Sequence, residues 1–111
     1  MTQFTLENGA RTIHNTLATN QMTIFPKGAL HTEFNPDCTD AMFVAGFADE
    51  DPGVQQAAQT FFGLDEDIVK AAIGNGFTFD GRDVDTFRKM IPANVALGVE
   101  SCLSKCGRKK R

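Results

Sequence analysis

Tryptophan and tyrosine are missing from this 111-residue chain, and only two histidines, His14 and His31, occur in it. Ten phenylalanines therefore carry all the aromatic packing. Long apolar runs are missing too: no stretch approaches the roughly 20 residues of a membrane-spanning helix. Met1 leads directly into Thr2-Gln3-Phe4-Thr5, without the basic and apolar segments of a signal peptide, and by itself this opening reads as cytosolic. Positive charge is scarce outside the C-terminus. Lys105, Arg108, Lys109, Lys110 and Arg111 are five of the eleven basic residues, which leaves six against fourteen acidic ones in the body. An acidic body with a short basic tail lacks the basic face and stacking aromatics of a nucleic-acid binder, and the tail reads as a solvated end.

Cysteine is sparse and odd in number. Of Cys38, Cys102 and Cys106, at least one is free or bonded outside the chain. Cys102 and Cys106 are four apart and share a helix face, where a regular helix holds them out of good disulfide geometry. Gly107 relaxes that limit by ending the helix. A zinc site would need two more good ligands, and no second Cys or His cluster supplies them. The three are read as structural thiols or a disulfide.

What is present amounts to one domain's worth of chain, with 41% apolar and 23% charged residues. The pattern changes near Asp51. Before it, short runs alternate with period two: Phe4 and Leu6, then Ile13, Asn15 and Leu17 against Thr12, His14 and Thr16, then Met22 and Ile24. Met42 to Phe47 is nearly continuous apolar chain. Turn residues bound these runs, and Glu7-Asn8-Gly9-Ala10 suits a hairpin. After Asp51 the period is helical. Asp51-Pro52 opens a first helix to Gly63, Asp65-Glu66-Asp67 a second closed by Gly74-Asn75-Gly76, Asp83 a third to Met90, and Pro92 a fourth carrying Val95, Ala96, Val99 and Leu103. The expected organisation is residues 1–50 as a partial β-sheet and residues 51–111 as a helical extension with a basic tail. About five strands are few for a closed barrel, and an open sheet edge invites pairing with another chain.

The chemistry concentrates in Phe25-Pro26-Lys27-Gly28-Ala29-Leu30-His31-Thr32-Glu33-Phe34-Asn35. Pro26-Lys27-Gly28 is a tight turn, and the strand after it places His31, Glu33 and Asn35 on one face. An imidazole fixed at a strand start by a rigid turn is well placed to ligate a metal, with Glu33 as a second ligand or an acceptor beside it. His14 faces no recognisable partner and reads as a surface or packing residue. Asp80-Gly81-Arg82-Asp83-Val84-Asp85 has its glycine misplaced for a calcium loop and reads as a loop and helix cap. Asp49-Glu50-Asp51 reads as a solvated turn. No nucleophilic catalytic set, and no catalytic residue, can be assembled from sequence order.

The spacing Pro26-x-Gly28-x-x-His31-x-x-x-Asn35 resembles the second conserved motif of the cupins, with Asn20 standing where that motif usually opens on glycine. The text from Phe25 to His31, Phe43-Val44-Ala45-Gly46-Phe47, Asp51-Pro52-Gly53, and Ile91-Pro92-Ala93-Asn94 on to Cys102 is similar to germin-like and spherulin-like fungal proteins. The resemblance covers nearly the whole chain. It implies a mainly β fold: part of a double-stranded β-helix (jelly-roll) barrel followed by short C-terminal helices. It also implies secretion, manganese binding, assembly as a dimer, trimer or hexamer, and activity on oxalate (oxidation or decarboxylation) or superoxide (dismutation). The family's metal site takes two His and one Glu from a first motif beginning His-x-His, and another His from the second motif. Only the last carries over, as His31. No His-x-His occurs here, and the first motif is expected upstream of Met1. The expectation is a germin-like cupin half, incomplete and inactive as this chain alone, or else a non-catalytic, self-assembling cupin fragment.

Overall fold

The computed structural model describes residues 1–74, 76, 78, 82–93 and 99–108. They belong to two compact units, one of residues 1–45 and 97–111 and the other of residues 46–96.

The first unit is built on a three-stranded antiparallel sheet in the order β2-β1-β3, with β1 at Thr2–Thr5, β2 at Ile13–Asn15 and β3 at Leu30–Glu33. Thr2 stands opposite both Asn15 and Glu33, and Phe4 opposite both Ile13 and His31. Directly opposed residues share a face, so Thr2, Phe4, Ile13, Asn15, His31 and Glu33 form one face of the sheet. Phe4 is buried there, its ring meeting Phe25 edge-on at 5.8 Å. The Glu7–Ala10 turn forms as the Asn-Gly pair predicts. Gly9 takes a φ of 84° and the Ala10 N–H donates to the Glu7 carbonyl at 3.1 Å.

Two expected strands do not form ladders. Residues 22–25 and 42–47 lie outside every β-ladder among the described residues. The first keeps the alternation of a strand: Thr23 and Phe25 are half-buried, while Met22 and Ile24 are 80% and 72% exposed. Sequence pattern sets which side chains want cover, whereas a ladder needs a neighbouring backbone, and none of the described residues lies alongside.

In the second unit the second expected helix forms between Asp65 and Gly74 as the sequence suggests, while the first and third are shorter than periodicity suggests. α1 spans Ala57–Phe62, α2 Glu66–Ile73 and α3 Val84–Arg88. The first expected helix start, Asp51-Pro52, is not used; Gly53 follows it at once, and glycine is costly in a helix interior. Val69 and Val84 are buried, and Phe62 packs edge-on against Phe61 at 5.1 Å and Phe87 at 5.3 Å. Asp83 caps α3 by accepting the Thr86 N–H at 2.7 Å, which holds its carboxyl below the ordinary value of 3.8.

The last helix, α4, spans Glu100–Lys105. It starts later than the Pro92 signal suggests, and the part of that expected helix at residues 94–98 lies outside the described residues, as do the calcium-loop positions Asp80 and Gly81 and the tail residues Lys109, Lys110 and Arg111. Gly107, at φ 64°, ends α4 in a Schellman motif: Gly107 N donates to the Ser104 carbonyl at 3.1 Å and Arg108 N to that of Leu103 at 2.8 Å. Cys106 thereby leaves the helix and forms a disulfide with Cys38, with 5.3 Å between their Cα atoms. Cys102 is the free thiol, half-buried one turn earlier.

Candidate functional site

The turn ahead of β3 sets the position of His31. The Ala29 N–H donates to the Pro26 carbonyl at 3.0 Å across Lys27 and Gly28, and Gly28 adopts φ 83°. A β-carbon at that angle would be strained, which is why glycine stands at the third turn position. Asn20, where the motif usually has glycine, also takes a positive φ of 64°, one of the few residues that does so readily. Both ends of the segment from Asn20 to Gly28 are thus tight turns.

Within β3, His31 Nδ1 lies 2.9 Å from the Ala29 carbonyl oxygen. A carbonyl only accepts, so the neutral ring carries its proton on Nδ1 and keeps the Nε2 lone pair free. The ring stacks on Phe25 with centroids 4.4 Å apart and 24° between planes. Nε2 points toward Glu33, whose Oε1 is 3.9 Å away. On the same face, the Thr2 hydroxyl is buried without a hydrogen-bond partner, in the register position between Asn15 and Glu33. Asn15 donates its amide to the Thr23 hydroxyl at 3.1 Å. An imidazole nitrogen, a carboxylate and an unsatisfied hydroxyl therefore share one sheet face.

The other candidates stand apart. Asn35 follows β3 and builds a loop: its amide donates to the Thr39 carbonyl at 2.6 Å and its Oδ1 accepts the Asp37 N–H at 3.0 Å. His14 is exposed, on the opposite face from His31 and across from Gln3. Asp49 accepts the Asp51 N–H at 3.2 Å, a local turn. The surface depression in the second unit, about 190 Å³ lined by Gln59, Phe62, Arg88 and Pro92 among others, is smaller than ligand pockets usually are, and the Arg88 guanidinium there is engaged with the Leu64 carbonyl at 2.9 Å. β1 carries no motif, so nothing in the sequence marks the orphaned Thr2 hydroxyl.

A model of the cupin family matches residues 1–85. The chain belongs to the cupin family. Within it, this cupin is of the germin- and spherulin-like kind: it is 42% identical over 104 residues to spherulin-1A of Physarum polycephalum, covering 94% of this chain and 41% of that protein. Spherulin-1B of the same organism is 40% identical over the same shares of both chains. Germin-like protein 3-2 of Oryza sativa subsp. japonica is 30% identical, covering 69% of this chain and 35% of its own. The chain thus spans about two-fifths of the length of the spherulins it matches. No solved structure matches it. The observed sheet is small for a jelly roll, with three strands among the described residues.

Manganese(II) takes about six nitrogen and oxygen ligands. Among the described residues no group of three or more His, Cys, Asp and Glu side chains converges. His31 and Glu33 are two donors, and Thr2 adds a neutral hydroxyl. This donor set in one chain does not fit a manganese ion.

Proposed function

We propose that this cupin supplies His31, with Glu33 beside it, to a divalent-metal centre whose remaining ligands, like the rest of the jelly-roll barrel, come from outside these residues. The observation that carries the reading is the bond between His31 Nδ1 and the Ala29 carbonyl, which in the neutral ring leaves the Nε2 lone pair as the available donor on the strand face. The ion that the family resemblance implies is manganese. The reactions it implies, oxidation or decarboxylation of oxalate or dismutation of superoxide, require the completed centre, so the isolated chain is inactive in this reading.

A secreted or extracellular setting agrees with the chemistry of the cysteines. The Cys38–Cys106 bridge is of a kind that persists in oxidising compartments and is rare where glutathione keeps thiols reduced.

Equilibrium dialysis of the assembled protein against manganese(II), followed by elemental analysis, tests the reading. Wild-type protein and His14→Ala retain the ion, and His31→Ala loses it. Equal retention by His31→Ala and wild type refutes the role of His31.

A further inference from the structure

A third sulfur lies beside the Cys38–Cys106 bridge. Cys102 and Cys106 are one turn apart at the end of α4, where the Cys106 N–H donates to the Cys102 carbonyl at 3.1 Å. Side chains four apart on a helix share a face, with about 5–6 Å between their β-carbons. A free thiol and a disulfide on one helix face are the two reactants of thiol–disulfide exchange. Such exchange needs no outside oxidant or reductant. Cys102 is half-buried, which favours a partner within the chain over a dissolved one.

Of the two bridged sulfurs, Cys38 is the one that can change partner. A bond between Cys102 and Cys106 would join residues four apart in α4, where helix geometry opposes it. Cys38 is exposed, in the loop that follows β3. That loop is closed by its own bonds, from the Asn35 amide to the Thr39 carbonyl and from the Asp37 N–H to Asn35 Oδ1. It can therefore keep its shape when its attachment to α4 changes. Beside the bridge, Asp40 meets Arg108 at 3.8 Å, an exposed ion pair of the kind that holds little. A bond from Cys38 to Cys102 would close a loop only four residues shorter than the present one, so loop entropy hardly separates the two attachments.

We propose that Cys38 has two tethers on α4, Cys106 and Cys102, interchanged by attack of the Cys102 thiolate on the Cys38 sulfur. Cys102 gives its proton to water. The Cys38–Cys102 bond forms as the Cys38–Cys106 bond breaks, and the Cys106 sulfur leaves as a thiolate and takes up a proton. One thiol and one disulfide stand on each side, so the redox state is unchanged. The step moves the point of attachment by about 6 Å along α4, four residues at about 1.5 Å each. The sheet and α4 belong to one unit, and Phe34, paired with Met1 at the end of β3, leads directly into the loop. The exchange thus resets where α4 is fastened relative to the strand that carries His31.

Disulfide mapping of the wild-type chain tests the proposal. Lys105 lies between Cys102 and Cys106, so trypsin separates them. Folded protein is held at about pH 8.5, where an ordinary thiol is half ionised, then acidified, labelled with N-ethylmaleimide and digested. The label is expected on both Cys102 and Cys106, with Cys38 bridged to the other in each case and no covalent dimer on non-reducing gels. Label on Cys102 alone overturns the proposal. Label on Cys38 places the bridge inside α4 and overturns it as well, as does label shared between Cys102 and Cys106 only where covalent dimers form. Cys106→Ser, oxidised with glutathione disulfide, is expected to close the Cys38–Cys102 bond and to keep a urea midpoint near that of the parent, against a fall of about 2–3 M where no bridge forms. A folded Cys106→Ser chain that keeps two free thiols also refutes the second tether.

Discussion

Removing the Cys38–Cys106 bridge is expected to cost this protein a large share of its stability. The two residues are 68 apart in sequence, and the loop they close contains the whole second unit. In the chain-entropy model, closing a loop of that length removes about 15 cal/mol/K from the unfolded ensemble, or about 4.4 kcal/mol at 25 °C. A domain of this size has about 5–15 kcal/mol in total. In the first unit Phe4 and Ala29 are the buried apolar residues among those described, so burial offers little to replace the bridge. The perturbation is Cys38→Ser with Cys106→Ser, which avoids mispairing with Cys102. With no Trp or Tyr to report by fluorescence, far-UV circular dichroism in urea is the assay. At a slope of about 1.5 kcal/mol/M the midpoint is expected to fall by about 2–3 M, and Cys102→Ser is expected to leave it in place. A double variant whose midpoint stays with that of the parent would refute the view that the bridge replaces a core.

Phe4→Ala is expected to destabilise the sheet unit by about 3–5 kcal/mol, read by the same denaturation, since it empties the position that Phe25 packs against. Asp83 has a depressed pKa, so its contribution is full above the ordinary value of 3.8 and is lost as pH falls through the lower folded value; Asp83→Asn is expected to flatten acid unfolding below about pH 4, and an unchanged acid limb counts against the cap. Nitrogen-15 spectra of His31 at alkaline pH are expected to show the proton on Nδ1, and a proton on Nε2 would contradict the fixed donor. Gly28→Ala is expected to destabilise the turn before β3 and to lower metal retention, measured by dialysis, because its φ of 83° strains a β-carbon.

How much of this was legible in the sequence follows from the range of each interaction. The Pro26–Gly28 turn, the Glu7–Ala10 hairpin turn, the Asp83 cap and the glycine end of α4 are each decided within a few residues, and each forms where its residue types indicate. The motif around His31 was legible for the same reason, because turn and strand are contiguous. The bridge to Cys38 was not: it depends on Cys106 leaving its helix at Gly107 and on a loop far away in sequence, so helical spacing drew attention to Cys102 instead. The Thr2 hydroxyl became visible only through register, which places β1 between β2 and β3.

The segments at residues 22–25 and 42–47 show the same division from the other side. A half-buried strand alternates apolar and polar residues, whereas a strand covered on both faces is apolar throughout. Met42 to Phe47 is of the second kind, and Met22 and Ile24 add apolar side chains on the face that Thr23 and Phe25 leave outward. Such patterns describe the burial for which a segment is suited, and Met42 and Val44 at 91% exposed are far from it. Reading them as strands and finding them without ladders are therefore compatible, provided the cover comes from outside these residues. The metal chemistry has the same form: one free imidazole nitrogen, one carboxylate and an unsatisfied hydroxyl are held on one face, and the ligands that would complete a centre come from elsewhere.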